Sequence, residues 1–368
     1  MDKATENLLL NEEEIKSKKI ILKSYPKRLI ATLSTKCNSK CIMCEVVRKK
    51  WDMPQKTLDE IKSLLPYFQS VNWQGGEVLL LNNFYELFLE SLKNKSLKQT
   101  IVSNGMLLND KWIDALTDAD IEFTISIDGL NKEIYEKIRY GSKYDILLKN
   151  IKKLNEVRKR KNSKLRLKMH TVIMRSNYKD TDKFINFANE YNFDIVYMMP
   201  IWGGQQIDEN IYIGNNSDIM SELSDKINIA ETKARDYNIE FFHSIPLIKK
   251  DGMSDATAIS ENNENEQKIV DKNKIDVDNI KENVVSETVK ESLFCYLPWQ
   301  QLNIDPGGEV RPGCLCNKPV GNIEKDSILS IWNNEQMQEY RKRIVNNPKN
   351  WCNNDCINNN IKMDLRKV

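Results

Sequence analysis

Residues 29–44 read LIATLSTKCNSKCIMC. The run at 29–35 is apolar and β-branched, and it predicts a strand. The loop that follows it carries Cys37, Cys41 and Cys44 in a Cys-x3-Cys-x2-Cys pattern. Three thiolates in one short loop can hold three irons of a [4Fe–4S] cluster. The fourth iron then has no ligand from this motif and is open to a small chelating molecule. The alternative is a zinc loop. Zinc closes its fourth position with Cys or His, commonly from two pairs. Only two histidines exist, His170 and His243, and neither is near the triplet in sequence.

Outward from this stretch, β-type runs alternate with segments of helical period. The strand candidates are 29–35, 70–73, 100–103, 121–127, 165–174 and 195–200. Between and after them, helices are expected over 58–68, 84–93, 110–119, 144–161, 178–191 and 217–237. Six β–α units in a row predict an α/β fold with a parallel sheet, open or barrel-like. Its chemistry belongs at the C-terminal ends of the strands. The 28 residues before the first strand are a polar, Lys/Glu-rich lead-in, helical or frayed.

Composition then changes. Residues 251–292 contain no Phe, Trp or Tyr and are rich in Asn, Glu, Lys, Asp and Ser. Such a stretch buries too little apolar area to offset chain entropy, so a flexible insert is expected there. Apolar patterning returns with FCYLPWQQLNID at 294–305, and the turn DPGGEVRPG after it predicts a hairpin. An amphipathic helix is expected over 328–345. The expected organisation is a lead-in at 1–28, a barrel at 29–240, an insert at 251–292 and a small cysteine-rich α+β domain at 293–368.

Lys and Arg number 55 against 53 Asp and Glu, a formal net charge of +2. That balance argues against partners held by bulk charge, so nucleic acid and anionic membrane are both excluded from the expected partners. The start, MDKATENLLLNEEE, lacks the basic and apolar regions of a secretory signal. No apolar run approaches the ~20 residues of a spanning helix. A cytoplasmic protein is expected. All 8 cysteines fall in two groups, three at 37–44 and five at 295–356. In a reducing compartment that clustering points to metal or catalysis rather than disulfides.

With the triplet and the six units in view, the chain resembles the radical S-adenosylmethionine superfamily. The resemblance implies a partial (β/α)6 TIM-type barrel. It implies a [4Fe–4S] cluster on Cys37, Cys41 and Cys44, whose open iron chelates S-adenosylmethionine. It implies reductive cleavage of that molecule to a 5′-deoxyadenosyl radical, which takes a hydrogen atom from the substrate. Further matches follow along the chain. Gln74-Gly75-Gly76-Glu77-Val78 is similar to the family's Gly-Gly-Glu-Pro motif, with Val78 in place of Pro. Its glycines permit close backbone approach, and Glu77 would accept from the methionine ammonium. Ser103-Asn104-Gly105 resembles a Thr-Asn-Gly turn that shapes the pocket floor. Ser126 and Asp128 share a strand face in a segment that contacts ribose and methionyl groups in related enzymes. Arg139 matches an arginine that pairs with the methionine carboxylate, a task suited to a guanidinium. Asn177 is a candidate adenosine contact, and Met43 would pack on the adenine.

The C-terminal cysteines resemble the extension of the SPASM/twitch group of the same superfamily. The carriers are Cys295…Pro298-Trp299, Gly308-x-Val310-x-Pro312, Gly321-Asn322-Ile323 and Ile331-Trp332-Asn333. The resemblance implies one auxiliary [4Fe–4S] cluster, expected on Cys295, Cys314, Cys352 and Cys356. Cys316 is an alternative ligand to Cys314 and, if spare, a candidate hydrogen-atom donor. A structural zinc of four thiolates is the competing reading.

A fully ligated auxiliary cluster suits electron transfer, so a two-electron oxidation is expected. The short lead-in leaves no room for a peptide-recognition domain within this sequence. That favours a small molecule of sugar or cyclitol type, with a peptide or protein maturase as the alternative and a non-catalytic iron–sulfur or zinc binder as the reading from another class. An electron donor such as flavodoxin or ferredoxin is the expected partner. Trp202, Gly203 and Gly204 are candidate pocket residues after the sixth strand.

Overall fold

A computed structural model describes residues 1–44, 50–201, 208–214, 216–247, 295–313, 316 and 318–346. The expected insert at 251–292, the ligand candidates Cys314, Cys352 and Cys356, and Trp202–Gly204 lie outside the described residues. The chain opens with α1 (Lys3–Lys16), β1 (Arg28–Thr32) and the short β2 (Lys40–Cys41). Next come α2 (Gln55–Leu64), β3 (Ser70–Gln74), α3 (Asn82–Ser91), β4 (Lys98–Ser103), α4 (Asp110–Thr117) and β5 (Glu122–Ser126). They are followed by α5 (Lys132–Ile138), the short β6 (Arg139–Tyr140), α6 (Tyr144–Arg160), β7 (Arg166–Ile173), α7 (Lys183–Glu190), β8 (Ile195–Pro200), α8 (Ser217–Asp236) and β9 (Glu240–His243). The C-terminal part adds α9 (Leu297–Gln300), β10 (Gln301–Ile304), β11 (Glu309–Arg311), β12 (Gly321–Asn322), α10 (Ile328–Trp332) and α11 (Glu335–Asn346).

Ten strands form one sheet in the order β12-β11-β10-β1-β3-β4-β5-β7-β8-β9. From β10 through β9 every neighbouring pair is parallel. The pairs β10–β11 and β11–β12 are antiparallel. The six expected strands are all present and hydrogen-bonded in chain order, as in a partial barrel. β9 extends the sheet beyond them at one side. On the other side β10 pairs with β1 in the register Leu29↔Leu302 and Ala31↔Ile304, so the C-terminal part joins the same sheet. The expected hairpin is β10–β11, turned by Gly307 and Gly308 at φ 91° and 81°. The single helix expected over 328–345 is instead α10 and α11, broken between Trp332 and Glu335.

Alternation on the strands divides the sheet into two faces. Along β7, Leu167, Met169, Thr171 and Ile173 are buried against the helix layer, while Lys168, His170 and Val172 are only partly buried. The helices meet the apolar face with stripes of helical spacing, such as Leu147, Ile151 and Leu154 of α6. Asn109 and Asn131 cap α4 and α5 by accepting from the amides of Trp112 and Ile134.

The lead-in is no frayed tail. The side chains of Asn7, Asn11 and Glu14 on α1 are buried. Asn11 donates to the Trp299 carbonyl at 2.6 Å, and Glu14 accepts from the amides of Lys23 and Ser24. From the other end of the chain, the fully buried Arg341 donates to the carbonyls of Ile20, Pro298 and Trp332 and to Asn333 Oδ1. Its guanidinium also lies 4.8 Å from the Trp332 ring centre. Arg341 therefore ties the first 28 residues to the C-terminal helices. Replacing Arg341 with Leu strands several buried acceptors at a cost of ~1–3 kcal/mol each. The variant is expected to lose at least ~3 kcal/mol in urea denaturation of the full chain. An unchanged midpoint would contradict this role.

Candidate active site

The triplet loop is held from both sides. β2 pairs antiparallel with β6, placing Cys41 opposite Arg139, and the Ile42 amide donates to the Ile138 carbonyl. All three thiols are partly buried. Donors are aimed at two of them. The Ser39 amide is 3.4 Å and Asn104 Nδ2 is 3.8 Å from Cys37 Sγ, and Arg139 Nη1 is 3.7 Å from Cys41 Sγ. Burial pushes the Cys37 thiol up to about 11. Burial also raises Cys41, although Arg139 acts against it. A metal must therefore displace protons from these sulfurs as it binds. Among the described residues no three His, Cys, Asp or Glu side chains gather around one point that could hold a single metal ion. A [4Fe–4S] cluster makes a different demand, one thiolate on each of three irons. Three thiols in one loop, with donors set to stabilise charge on sulfur, fit that group.

Gly75 and Gly76 let the loops after β1 and β3 touch. A Cβ on Gly75 would stand 2.5 Å from the Ser34 carbonyl oxygen, and one on Gly76 would stand 2.1 Å from that of Lys36. The Gly76 and Glu77 amides donate to those same two carbonyls, each at 2.7 Å. Glu77 is fully buried. It accepts from the Leu79 amide, Ser103 Oγ and the Asn104 amide at 3.1, 2.8 and 2.7 Å. Burial raises its pKa, and these three hydrogen bonds oppose the rise. Asn104 in turn donates to Asn38 Oδ1 at 2.8 Å in the cysteine loop. Glu77, Ser103 and Asn104 thus form one chain of hydrogen bonds ending at the triplet.

Asp128 and Arg139 form a buried ion pair, Oδ2 to Nη2, at 2.6 Å. Asp128 Oδ1 accepts from the Val172 amide, and Asn177 donates to the Asp128 and Val172 carbonyls. Met43 packs beside a small apolar cluster of Ile138, Met174 and Ile201. Ser126 stands in register with His170, and His170 with Tyr197. The structure therefore brings Met43, Gly75, Gly76, Glu77, Ser103, Asn104, Ser126, Asp128, Arg139 and Asn177 to the end of the sheet that carries Cys37, Cys41 and Cys44.

Sequence reasoning overlooked the partly polar inner face. His170 stacks on Tyr197 at 5.4 Å, and Lys168 reaches Glu122 at 3.2 Å. Burial, then Arg139 and Lys168, depress the His170 imidazole to about 4, so it is neutral at physiological pH. The signal was present as Arg166-x-Lys168-x-His170 at strand period, alternating with the apolar Leu165, Leu167 and Met169. In the C-terminal part, Cys295 and Cys316 are buried. Cys316 lies beside Gly313, and its carbonyl accepts from Arg311.

The match to known families agrees with this geometry. Residues 32–188 match the Radical SAM superfamily and residues 295–357 match SPASM, an iron–sulfur cluster-binding domain. The chain carries a Radical SAM domain and a C-terminal SPASM domain. Those domains imply a [4Fe–4S] cluster with S-adenosylmethionine and an auxiliary iron–sulfur cluster. Among curated proteins it is 26% identical to a GTP 3′,8-cyclase of Clostridium botulinum over 219 residues. That match covers 56% of this chain and 66% of the cyclase, just under two thirds of the relative's length. Among solved structures it is similar to Streptococcus suis SuiB bound to S-adenosylmethionine, with a TM-score of 0.64 at 16% identity over 96% of this chain and 78% of that one. SuiB bound to its precursor peptide SuiA aligns with a TM-score of 0.61 at 17% identity, over 91% of this chain and 70% of that one. No helix among the described residues is long and apolar enough to cross a membrane.

Gly76→Ala tests the loop contact. The added methyl cannot fit 2.1 Å from a backbone oxygen, so the cysteine loop must shift. After anaerobic reconstitution the variant is expected to retain no more than about half of the wild-type iron, leaving the auxiliary cluster. Wild-type iron content would contradict this role of the contact.

Proposed function

We propose that this enzyme takes a hydrogen atom from a small polar molecule of sugar or cyclitol type and completes a two-electron oxidation of it. One observation carries the substrate class, the polar inner face of the sheet. Asn72, Thr100 and Glu122 stand in one register row across β3, β4 and β5. Ser126, His170 and Tyr197 stand in another across β5, β7 and β8. The enclosed atoms Asn72 Oδ1 and Thr124 Oγ1 have no hydrogen-bond partner. Buried polar atoms without partners are costly, and a face carrying them beside Ser126, His170 and Tyr197 suits a hydroxylated or aminated ligand better than an apolar one.

When bound, the triplet cluster with S-adenosylmethionine supplies the 5′-deoxyadenosyl radical, and the auxiliary cluster takes up an electron. Cys37, Cys41 and Cys44 hold the first. Cys295, Cys314, Cys352 and Cys356 hold the second. In this reading Glu77, Ser126, Asn177, Met43 and the Asp128–Arg139 pair shape the S-adenosylmethionine site. Cys316 stays a structural neighbour of the auxiliary cluster rather than a hydrogen donor. On the inner face, neutral His170 accepts a hydroxyl hydrogen bond. The Glu122–Lys168 pair offers one anionic and one cationic contact to the polar end of the substrate. A flavodoxin- or ferredoxin-type donor supplies electrons. A second reading, maturation of a peptide, is favoured by the resemblance in fold to SuiB, which has been solved with its precursor peptide.

The test is isotope transfer. With dithionite and S-adenosylmethionine the reconstituted enzyme is expected to release 5′-deoxyadenosine, and Cys41→Ala none. Deuterated polyols, aminocyclitols and peptides are then compared by mass spectrometry of that product. Deuterium from a hydroxylated small molecule supports the proposal. Transfer from peptides alone would overturn it in favour of the second reading.

A further inference from the structure

We propose that Arg139, clamped by Asp128, tunes the redox balance of the cluster held by the triplet through its contact with Cys41, and that this is its principal task. β6 is only two residues long, yet it is paired with β2 so that Arg139 and Cys41 are direct register partners. Arg139 is 7% exposed, so its cation sits away from solvent screening. One terminal nitrogen meets Asp128 at 2.6 Å, and the other donates to Cys41 Sγ at 3.7 Å. Asp128 is itself fixed by the Val172 amide at 2.8 Å and by Asn177, which donates to its carbonyl. The guanidinium thus has one orientation, and that orientation faces a sulfur.

The physical consequence has a definite sign. Reduction adds one electron, and a buried cation with an N–H aimed at a ligating sulfur favours the more negative, reduced form. Asp128 places an opposing negative charge one guanidinium away. The two members of the ion pair therefore push the cluster's potential in opposite directions. The same geometry leaves Arg139 with both terminal nitrogens engaged. A task confined to the carboxylate of S-adenosylmethionine would need neither the Cys41 contact nor the register that makes it.

The test is an EPR-monitored redox titration of the reconstituted full chain without S-adenosylmethionine, alongside iron and sulfide analysis. The spectrum of a Cys37/Cys41/Cys44→Ala variant supplies the auxiliary-cluster background. In Arg139→Gln the oxidised-to-reduced ratio of the triplet cluster at a fixed potential is expected to rise about tenfold, equivalent to ~59 mV for one electron. Arg139→Lys keeps the charge with a shorter, single-headed donor and is expected to shift in the same direction by less. Asp128→Asn is expected to shift the opposite way. If Arg139→Gln fails to hold iron, the Lys and Asn variants decide the matter, since general loosening of the site cannot move them in opposite directions. Potentials equal to wild type in the iron-loaded variants would overturn the proposal. So would a shift seen only after S-adenosylmethionine is added, which would mark Arg139 as a ligand contact alone.

Discussion

Everything at this site depends on two loops being pressed backbone to backbone. The loop after β3 lies so close to the loop after β1 that no side chain fits at Gly75 or Gly76. That contact sets where the cysteine loop leaves the sheet. It also drives Glu77 into the interior, where a carboxylate is tolerated only because three donors meet it. One of those donors is the amide of Asn104, whose side chain reaches back to Asn38 beside Cys37. The order of causes runs from glycine to close approach, from close approach to a buried acceptor, and from that acceptor to a placed thiol.

A second anchor closes the loop from its far side. β6 supplies Arg139 opposite Cys41, and Asp128 at the end of β5 holds Arg139 in place. The cysteine loop is thus fixed by residues that follow three different strands of the sheet. Open-sheet α/β proteins place their chemistry at strand C-terminal ends because loops from several strands converge there. Here the convergence is made by named hydrogen bonds. It brings sulfur, carboxylate, guanidinium and amide groups together, with α5 adding the Ile138 carbonyl that receives the Ile42 amide.

Much of this was legible in the sequence, for physical reasons. The strand at 195–200 was read to the residue, and the others to within a few positions, because their apolar runs are continuous and bounded by polar or turn residues. The motif residues were legible because their spacing carries chemistry. Other features gave no such signal. β9 is four residues, EFFH, too short to show a period. The pairing of β10 with β1 joins residues far apart in sequence, and no local pattern encodes it. α5 is a seven-residue helix placed after a Gly and capped by Asn131, and its length hid it. The lead-in reads as polar and helical or frayed, yet Asn7, Asn11 and Glu14 are buried in it. They are buried because each bonds backbone groups that would otherwise be orphaned. The contact between Arg139 and Cys41 needs the register of a two-residue sheet, which composition cannot supply.

The proposed chemistry requires one iron–sulfur cluster on the triplet and another on the C-terminal cysteines. The most direct test is iron, sulfide and zinc analysis of anaerobically reconstituted wild type beside the variant in which Cys37, Cys41 and Cys44 are all Ala. About eight irons per chain are expected in the wild type and about four in the variant, with no zinc. About four irons and one zinc in the wild type, with the iron lost in the variant, would contradict the auxiliary cluster. An iron content that does not fall when the triplet is removed would contradict the radical-generating site itself.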